Sequence, residues 1–313
     1  KRRMWGTMSN NITDIDEIFQ WKSQYCIGVE EIDSAHQKLF SIVRRLLKNL
    51  LIGDYEKNKK TCIEAVKFLK QYTIEHFAQE EAYQIKIGYG GYETHKRIHT
   101  DMREVTIPAL EKQMLQTDFS EKSVSHFAGV CAAWLSTHIM LEDQAIVGRV
   151  ASRWKMDISD DIMANLISAA EEYMQRMFQI KIEPENLNYD AYDLGETLHY
   201  YLIYKGKDND LYRSVVTFER SLICRVLGTI MCKPVTVLDE LSLSMFKELA
   251  QDFVENFISN YKNDVPALIS DGIVDKKAFL KDFKAYHPDI SLLWNSKFGH
   301  SAFCIKTVKP KAM

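Results

Sequence analysis

Apolar residues recur at helical intervals four times in the first half of the chain. The first run covers Ile32 to Leu51, with Leu39, Phe40, Val43, Leu46, Leu47 and Leu50 on one face, and Gly53 with Asp54 supplies a stop. The second goes from Thr61 to Ile87 (Ile63, Val66, Phe68, Leu69, Tyr72, Phe77) and ends at the glycine-rich turn Gly88, Gly90, Gly91. The third, Tyr92 to Leu115, contains Pro108, which predicts a bend, and the fourth, Ser120 to about Val150, is strongly apolar on one side. Long helices with short connections predict an all-α up-and-down four-helix bundle.

After Trp154 the pattern changes. An amphipathic helix is expected from Ser159 to about Phe178, its stripe formed by Ile162, Leu166, Ile167, Ala170, Tyr173, Met174 and Met177. Two strand-like stretches, Thr197 to Lys205 and Leu211 to Phe218, flank the polar turn Gly206 to Asp210 and predict a hairpin. Helical segments follow at Glu219 to Met231 and Asp239 to Tyr261, and a strand at His300 to Val308, so this half is α+β. No repeat relates the halves.

A length of 313 residues fits two domains, here 19–152 and 153–313, behind an N-terminal extension or expression remnant at 1–18 with a natural start possible at Met8. A net charge of -3 without a basic block disfavours nucleic acid and an anionic membrane as partners. No apolar run reaches the roughly 18 to 20 residues of a membrane span; Phe127 to Leu141 comes nearest but carries His138, and a cytoplasmic protein is expected. The six cysteines form no CxxC pair, which argues against a zinc cluster or redox motif and leaves buried free thiols.

Six of the nine histidines precede residue 150. His76 and Glu80 are four apart on the second helix, as are His95 and His99 on the third, so each pair projects from one helix face. The first helix offers His36 after Asp33, and the fourth His138, followed by Glu142 and Asp143. Imidazole with carboxylate and no thiolate suits iron, zinc, copper or manganese. Five imidazoles, two bridging carboxylates and a bridging oxide or hydroxide fill eleven of the twelve positions on two octahedral ions, which leaves one for a diatomic ligand. A lone histidine on an apolar helix face is usually an ordinary core residue, and His126 is read so. Burying the other groups together without a metal would leave unpaired polar atoms costing about 1–3 kcal/mol each.

These residues resemble the hemerythrin family, in particular the bacterial hemerythrins. The carrying features are Phe19-Gln20-Trp21, Ile27-Gly28-Val29 and Ile32-Asp33 leading to His36, then His76-Phe77-Ala78-Gln79-Glu80-Glu81, His95 to His99, and Trp134 to Asp143, in order over about residues 19–147. The resemblance implies two non-haem irons that bind dioxygen reversibly, with His95, His99 and His138 on the six-coordinate iron, His36 and His76 on the five-coordinate iron, and Glu80 and Asp143 bridging. Ideal helical spacing would pair His138 with Glu142, since a fifth residue lies about 140° round. The family pattern selects Asp143, flanking the inward direction, and leaves Glu142 facing solvent. Trp21, Trp134 and Ile139 are candidates to line the ligand pocket, or plain core.

From Asp157 onward the chain is similar to CheX-type chemotaxis phosphatases, through the helix Ile162 to Phe178, the hairpin, Phe218-Glu219-Arg220-Ser221, Leu227-Gly228, Leu238-Asp239-Glu240 and Ser244 to Gln251. The resemblance implies an α+β CheX-like domain that dimerises and acts on the phospho-aspartate of a CheY-like response regulator, using a Glu and, three residues on, an Asn. Glu248 matches and Gln251 stands where Asn is expected, which leaves phosphatase activity open; Glu255 and Asn256 are alternatives off that spacing. The fusion implies an oxygen sensor acting on a response regulator. A storage or scavenging protein whose second domain only dimerises or binds a partner is the alternative, and a peroxidase-like or nitric oxide-reducing diiron protein a third.

Overall fold

The computed structural model of the chain describes residues 17–53, 55–150, 162–206, 209–262 and 266–309. The expectations for Lys1 to Thr7, Met8, Trp154, residues 157–161 and part of the Gly206 to Asp210 turn lie outside them. By contact the chain forms two units, Lys1–Ser152 with Leu227–Met245, and Arg153–Val226 with Phe246–Met313. Residues 227–245, expected in the second domain, group with the first unit.

In the first unit a short 3-10 turn at Ser23–Tyr25 precedes α1 (Glu30–Ile52). No side chain caps this helix; instead the Asp33 carboxylate accepts from the backbone N–H groups of Ile27 (2.7 Å) and Gly28 (3.0 Å). Gly28 takes φ +87°, which only glycine adopts without strain. This clamp fixes the start of the helix one turn before His36. Gly53, left-handed at φ +75°, closes α1 by donating its N–H to Asn49 O and Leu50 O. Next comes α2 (Tyr55–Ile87), which begins before the apolar period does.

The third helical run is α3 (Tyr92–Asp101), a π turn (Met102–Thr106) and α4 (Ile107–Gln116). Pro108 falls in the first turn of α4, where its missing N–H costs little, so the wide turn absorbs the predicted bend. The fourth run is α5 (Glu121–Thr137), capped by Ser120 Oγ on Ser123 N, then a second π turn (His138–Asp143) and the short α6 (Gln144–Ile146). Among the described residues this stretch, Glu121–Ile146, is long and apolar enough to cross a membrane by length and composition, contrary to the sequence expectation, and most of it is buried. The bundle core includes Leu39, Phe40, Val43 and Leu47 of α1, Phe77 of α2 and Phe127 of α5. His126, read as ordinary, places Nδ1 3.0 Å from Ser244 Oγ in the same unit. None of the six cysteines is in a disulfide, and Cys62, Cys131 and Cys304 are buried.

The second unit begins with α7 (Ile162–Phe178) and is built on a six-stranded antiparallel sheet of order β1-β5-β6-β3-β2-β4. The strands are β1 (Glu183–Asn186), β2 (Thr197–Lys205), β3 (Leu211–Glu219), β4 (Ala267–Val274), β5 (Ile290–Asn295) and β6 (Ser301–Val308). The predicted hairpin is β2 with β3, paired from Thr197 opposite Glu219 to Lys205 opposite Leu211. Alternation along β2 sends Tyr200, Leu202 and Tyr204 to one buried face. There α9 (Glu240–Lys262) lies against it, with Phe246 near the Tyr200 ring, and the Tyr173 hydroxyl of α7 donates to Leu249 O. α8 (Arg220–Met231) adds Leu222 and Ile223 to the core. The opposite face is covered by α10 (Lys276–Tyr286), whose Phe279 stacks on His199 at 3.9 Å. β1, β4, β5 and α10 were not foreseen.

Candidate metal centre

Helical spacing brings His76 and Glu80 to one face of α2, and His95 and His99 to one face of α3. His36 comes from α1, and His138 and Asp143 open and close the π turn after α5. On an α-helix these last two would diverge; in a turn bonded i to i+5 they return to the same side, and His138 Nε2 lies 3.1 Å from Asp143 Oδ1. Asp143 is therefore brought in by a local change of pitch, not by flanking. Glu142 does not face solvent as expected: the whole turn is enclosed, and Glu142 is 1% exposed.

All seven side chains are buried. Their inward atoms fall into two groups. Glu80, His95, His99 and His138 form one, and His36, His76 and Glu80 the other, each with its ligand atoms within 4.8 Å of one another. The two carboxylates divide their oxygens between the groups. Glu80 Oε1 is 2.6 Å from His95 Nε2 and 3.5 Å from His99 Nε2, while Oε2 is 3.6 Å from both His36 and His76 Nε2. Asp143 Oδ1 faces His138 and His95 (3.4 Å), and Oδ2 faces His36 at 3.2 Å.

Atoms held about 2.1 Å from one ion stand about 3 Å apart when adjacent. The Nε2 atoms of His95 and His99 are 3.1 Å apart and those of His99 and His138 3.0 Å. Despite such proximity, both oxygens of Asp143, Glu80 Oε2 and His36 Nε2 make no hydrogen bond. Buried acceptors that converge without pairing fit a cation pair, and the nitrogen and oxygen donor set, without thiolate, fits first-row ions such as iron.

Electrostatics agree. Burial pushes the Asp143 carboxyl well above its usual range, with the neighbouring Glu80 charge adding to it. Glu80 goes the other way: burial opposes ionisation, but the imidazoles of His95 and His99 outweigh it and hold the carboxyl well below normal. Burial also pulls down His95, yet Glu80, by charge and hydrogen bond, with Asp143 and Glu142, lifts it to about 9. Burial drives His76 and His138 down to about 3. Without a cation the cluster carries charges in conflict.

Aromatic rings brace the imidazoles. Phe77 stacks on His99 at 3.8 Å and 4°, and Trp134 on His138 at 4.3 Å and 10°. Trp21 lies tilted 6.3 Å from His36, and Ile139 is fully buried in the π turn. Two supports were missed by the sequence reading: Gln84 Nε2 donates to Glu80 Oε1 at 3.1 Å, and Glu81 Oε1 stands 3.2 Å from His99 Nδ1. The four-residue step from Glu80 to Gln84 and the paired Glu80-Glu81 were the available signals.

The second candidate pair lies on α9. Gln251 Nε2 donates to the Tyr200 hydroxyl at 2.7 Å, which donates to Asp271 Oδ2 at 2.8 Å, and Lys247 Nζ reaches the same oxygen at 3.3 Å. Burial, with Glu255 and Asp252, lifts the half-buried Glu248 to about 8. Asn256 is buried on the same helix.

Four helices, five imidazoles and two carboxylates split between two groups define a metal-binding bundle. Residues 27–150 match the family model of the Hemerythrin HHE cation binding domain. The bacteriohemerythrin of Clostridium acetobutylicum is 30% identical over 136 residues, which cover 42% of this chain and 99% of that protein. That of Stenotrophomonas maltophilia is 27% identical over 130 residues, 42% of this chain and 80% of that protein. Through this region the chain belongs to the hemerythrin family. Among solved structures, the chemotaxis protein CheX of Vibrio vulnificus aligns with 49% of this chain and 100% of its own, at 9% identity and a TM-score of 0.36. A CheX-CheY-BeF3-Mg complex from Borrelia burgdorferi aligns with 48% of this chain and 100% of its own, at 10% identity and a TM-score of 0.37.

Proposed function

We propose that the chain is a cytoplasmic oxygen-responsive signalling protein in which a diiron site governs how the second unit treats a phosphorylated CheY-like response regulator. The observation that carries the metal half of this reading is the division of the Glu80 and Asp143 oxygens between two groups of imidazoles. His95, His99 and His138 would hold one iron, His36 and His76 the other, with both carboxylates shared. Such a pair, when bound, supplies reversible binding of dioxygen. The chain's own residues hold the ions and, through Trp134, Phe77 and Ile139, surround them with apolar surface that excludes water.

The signalling half rests on the resemblance of α7 to α9 and the hairpin to CheX-type proteins, with Glu248 in the family position. The exposed edge strand β4, with Leu268, Ile269 and Ile273 uncovered, is the surface through which a homodimer would form. A ligand changes an output only if it favours one of two conformations. Dephosphorylation of a CheY-like protein by the diferrous and by the oxygenated protein tests this: different rates are expected, and identical rates refute it.

One observation favours a second reading, oxygen storage or scavenging with a second unit that only binds a partner. The Gln251 amide is engaged by Tyr200 rather than open to position a water. Under this reading Gln251→Ala leaves every measured activity unchanged, whereas a phosphatase loses turnover.

A further inference from the structure

Each inward imidazole turns Nε2 to the shared centre, which leaves Nδ1 as its outer nitrogen. Four of these outer atoms, on His36, His76, His95 and His138, are buried and lack a hydrogen-bond partner. The fifth differs. His99 Nδ1 lies 3.2 Å from the carboxylate oxygen Oε1 of Glu81, whose side chain is 16% exposed. Since His99 Nε2 faces Glu80 and the Nε2 atoms of His95 and His138, it must stay unprotonated to bind a cation. The proton then sits on Nδ1 and is donated to Glu81. With Phe77 parallel to the ring at 3.8 Å, His99 is fixed on both its edge and its face.

A carboxylate that accepts the outer N–H of a ligating imidazole makes the ring a stronger donor to its metal. A stronger donor favours the more highly charged ion. Because one histidine group has such a partner and the other has none, the two metal positions are electronically unequal before any gas arrives.

We propose that Glu81 is a positioning residue that, through His99, biases the iron held by His95, His99 and His138 toward the ferric state and strengthens its retention. This rests on the diiron reading. Substitution alone separates charge from contact: Glu81→Gln keeps an acceptor oxygen and loses the charge, and Glu81→Leu loses both.

The test uses the full chain loaded anaerobically with ferrous iron, with iron per chain, potentiometric titration and release to a chelator as readouts. Both variants are expected to load two irons. The potential of one iron of the pair rises, more for Leu than for Gln, by about 59 mV for each tenfold loss of ferric over ferrous preference. That iron is also expected to leave to the chelator about 10- to 100-fold more readily. Glu75→Gln, at an exposed carboxylate of the same helix, leaves both potentials at the wild-type values. Wild-type potentials and retention in Glu81→Gln and Glu81→Leu proteins that hold two irons would overturn the proposal while leaving the diiron reading intact. A wild-type protein that loads fewer than two irons would overturn both. If Glu81→Leu fails to fold, Glu81→Gln decides, since loss of charge alone is expected to move the potential.

Discussion

Glu80 is the residue on which both groups of imidazoles depend, so Glu80→Gln is the most informative single change. The amide keeps the shape and one oxygen. It replaces the other oxygen by an NH2 that can only donate, and it removes the charge. Two imidazole contacts lie on each oxygen, at 2.6 and 3.5 Å for Oε1 and 3.6 Å twice for Oε2, and the side chain is fully buried. Removing one partner of a buried charged set costs about 3–5 kcal/mol. At about 1.4 kcal/mol per tenfold, that is two to nearly four orders of magnitude in affinity for the second iron. Protein purified after iron-replete growth and desalted against a weak chelator should then hold about one iron per chain or fewer, where the parent is expected to hold two. Glu75→Gln, exposed on the same helix, should retain the parent's content. Two tightly held irons in Glu80→Gln would refute the assignment of Glu80 as a shared ligand.

Other outcomes follow from the same geometry. In the metal-free protein His95 (about 9) carries a proton at neutral pH, whereas His76 and His138 (about 3) do not. Anaerobic iron uptake should therefore release protons near pH 7, and affinity should fall as pH drops below about 9, as read with an indicator dye. Phe77→Ala removes a side chain 1% exposed and the face support of His99; about 3–5 kcal/mol of stability should be lost in urea unfolding. Glu248, lifted to about 8 in the folded protein from an ordinary 4.5, binds more protons folded than unfolded over that range. Stability should thus decline as pH rises from about 4.5 through about 8, by on the order of 2 kcal/mol after allowance for its partial exposure. Glu248→Gln should flatten the dependence.

The bundle was legible because its helices keep one apolar face over many turns, and because ligand pairs four apart need no tertiary knowledge to be placed together. Asp143 was not legible from spacing. A uniform α-helix sends it away from His138, and only the π turn, which no apolar period announces, reverses this. The same turn buries Glu142, which the family pattern leaves facing solvent. In the second unit β5, Ile290-Ser291-Leu292-Leu293-Trp294-Asn295, is buried on both faces and so lacks the apolar-polar alternation that marks a strand. β4 fails for the opposite reason: as an exposed edge strand it buries little on either face. α10 did leave a trace, Asp275 capping Ala278 N at 3.0 Å, but a cap alone does not distinguish a helix from a turn.

The most direct measurement is the visible spectrum of the reduced, iron-loaded protein before oxygen, after oxygen, and after oxygen is removed again. A dry diiron site with one open position predicts that a charge-transfer absorption appears on oxygenation and disappears on degassing, with two irons per chain throughout. No new absorption, one that persists after degassing without a reductant, or fewer than two irons per chain would contradict it.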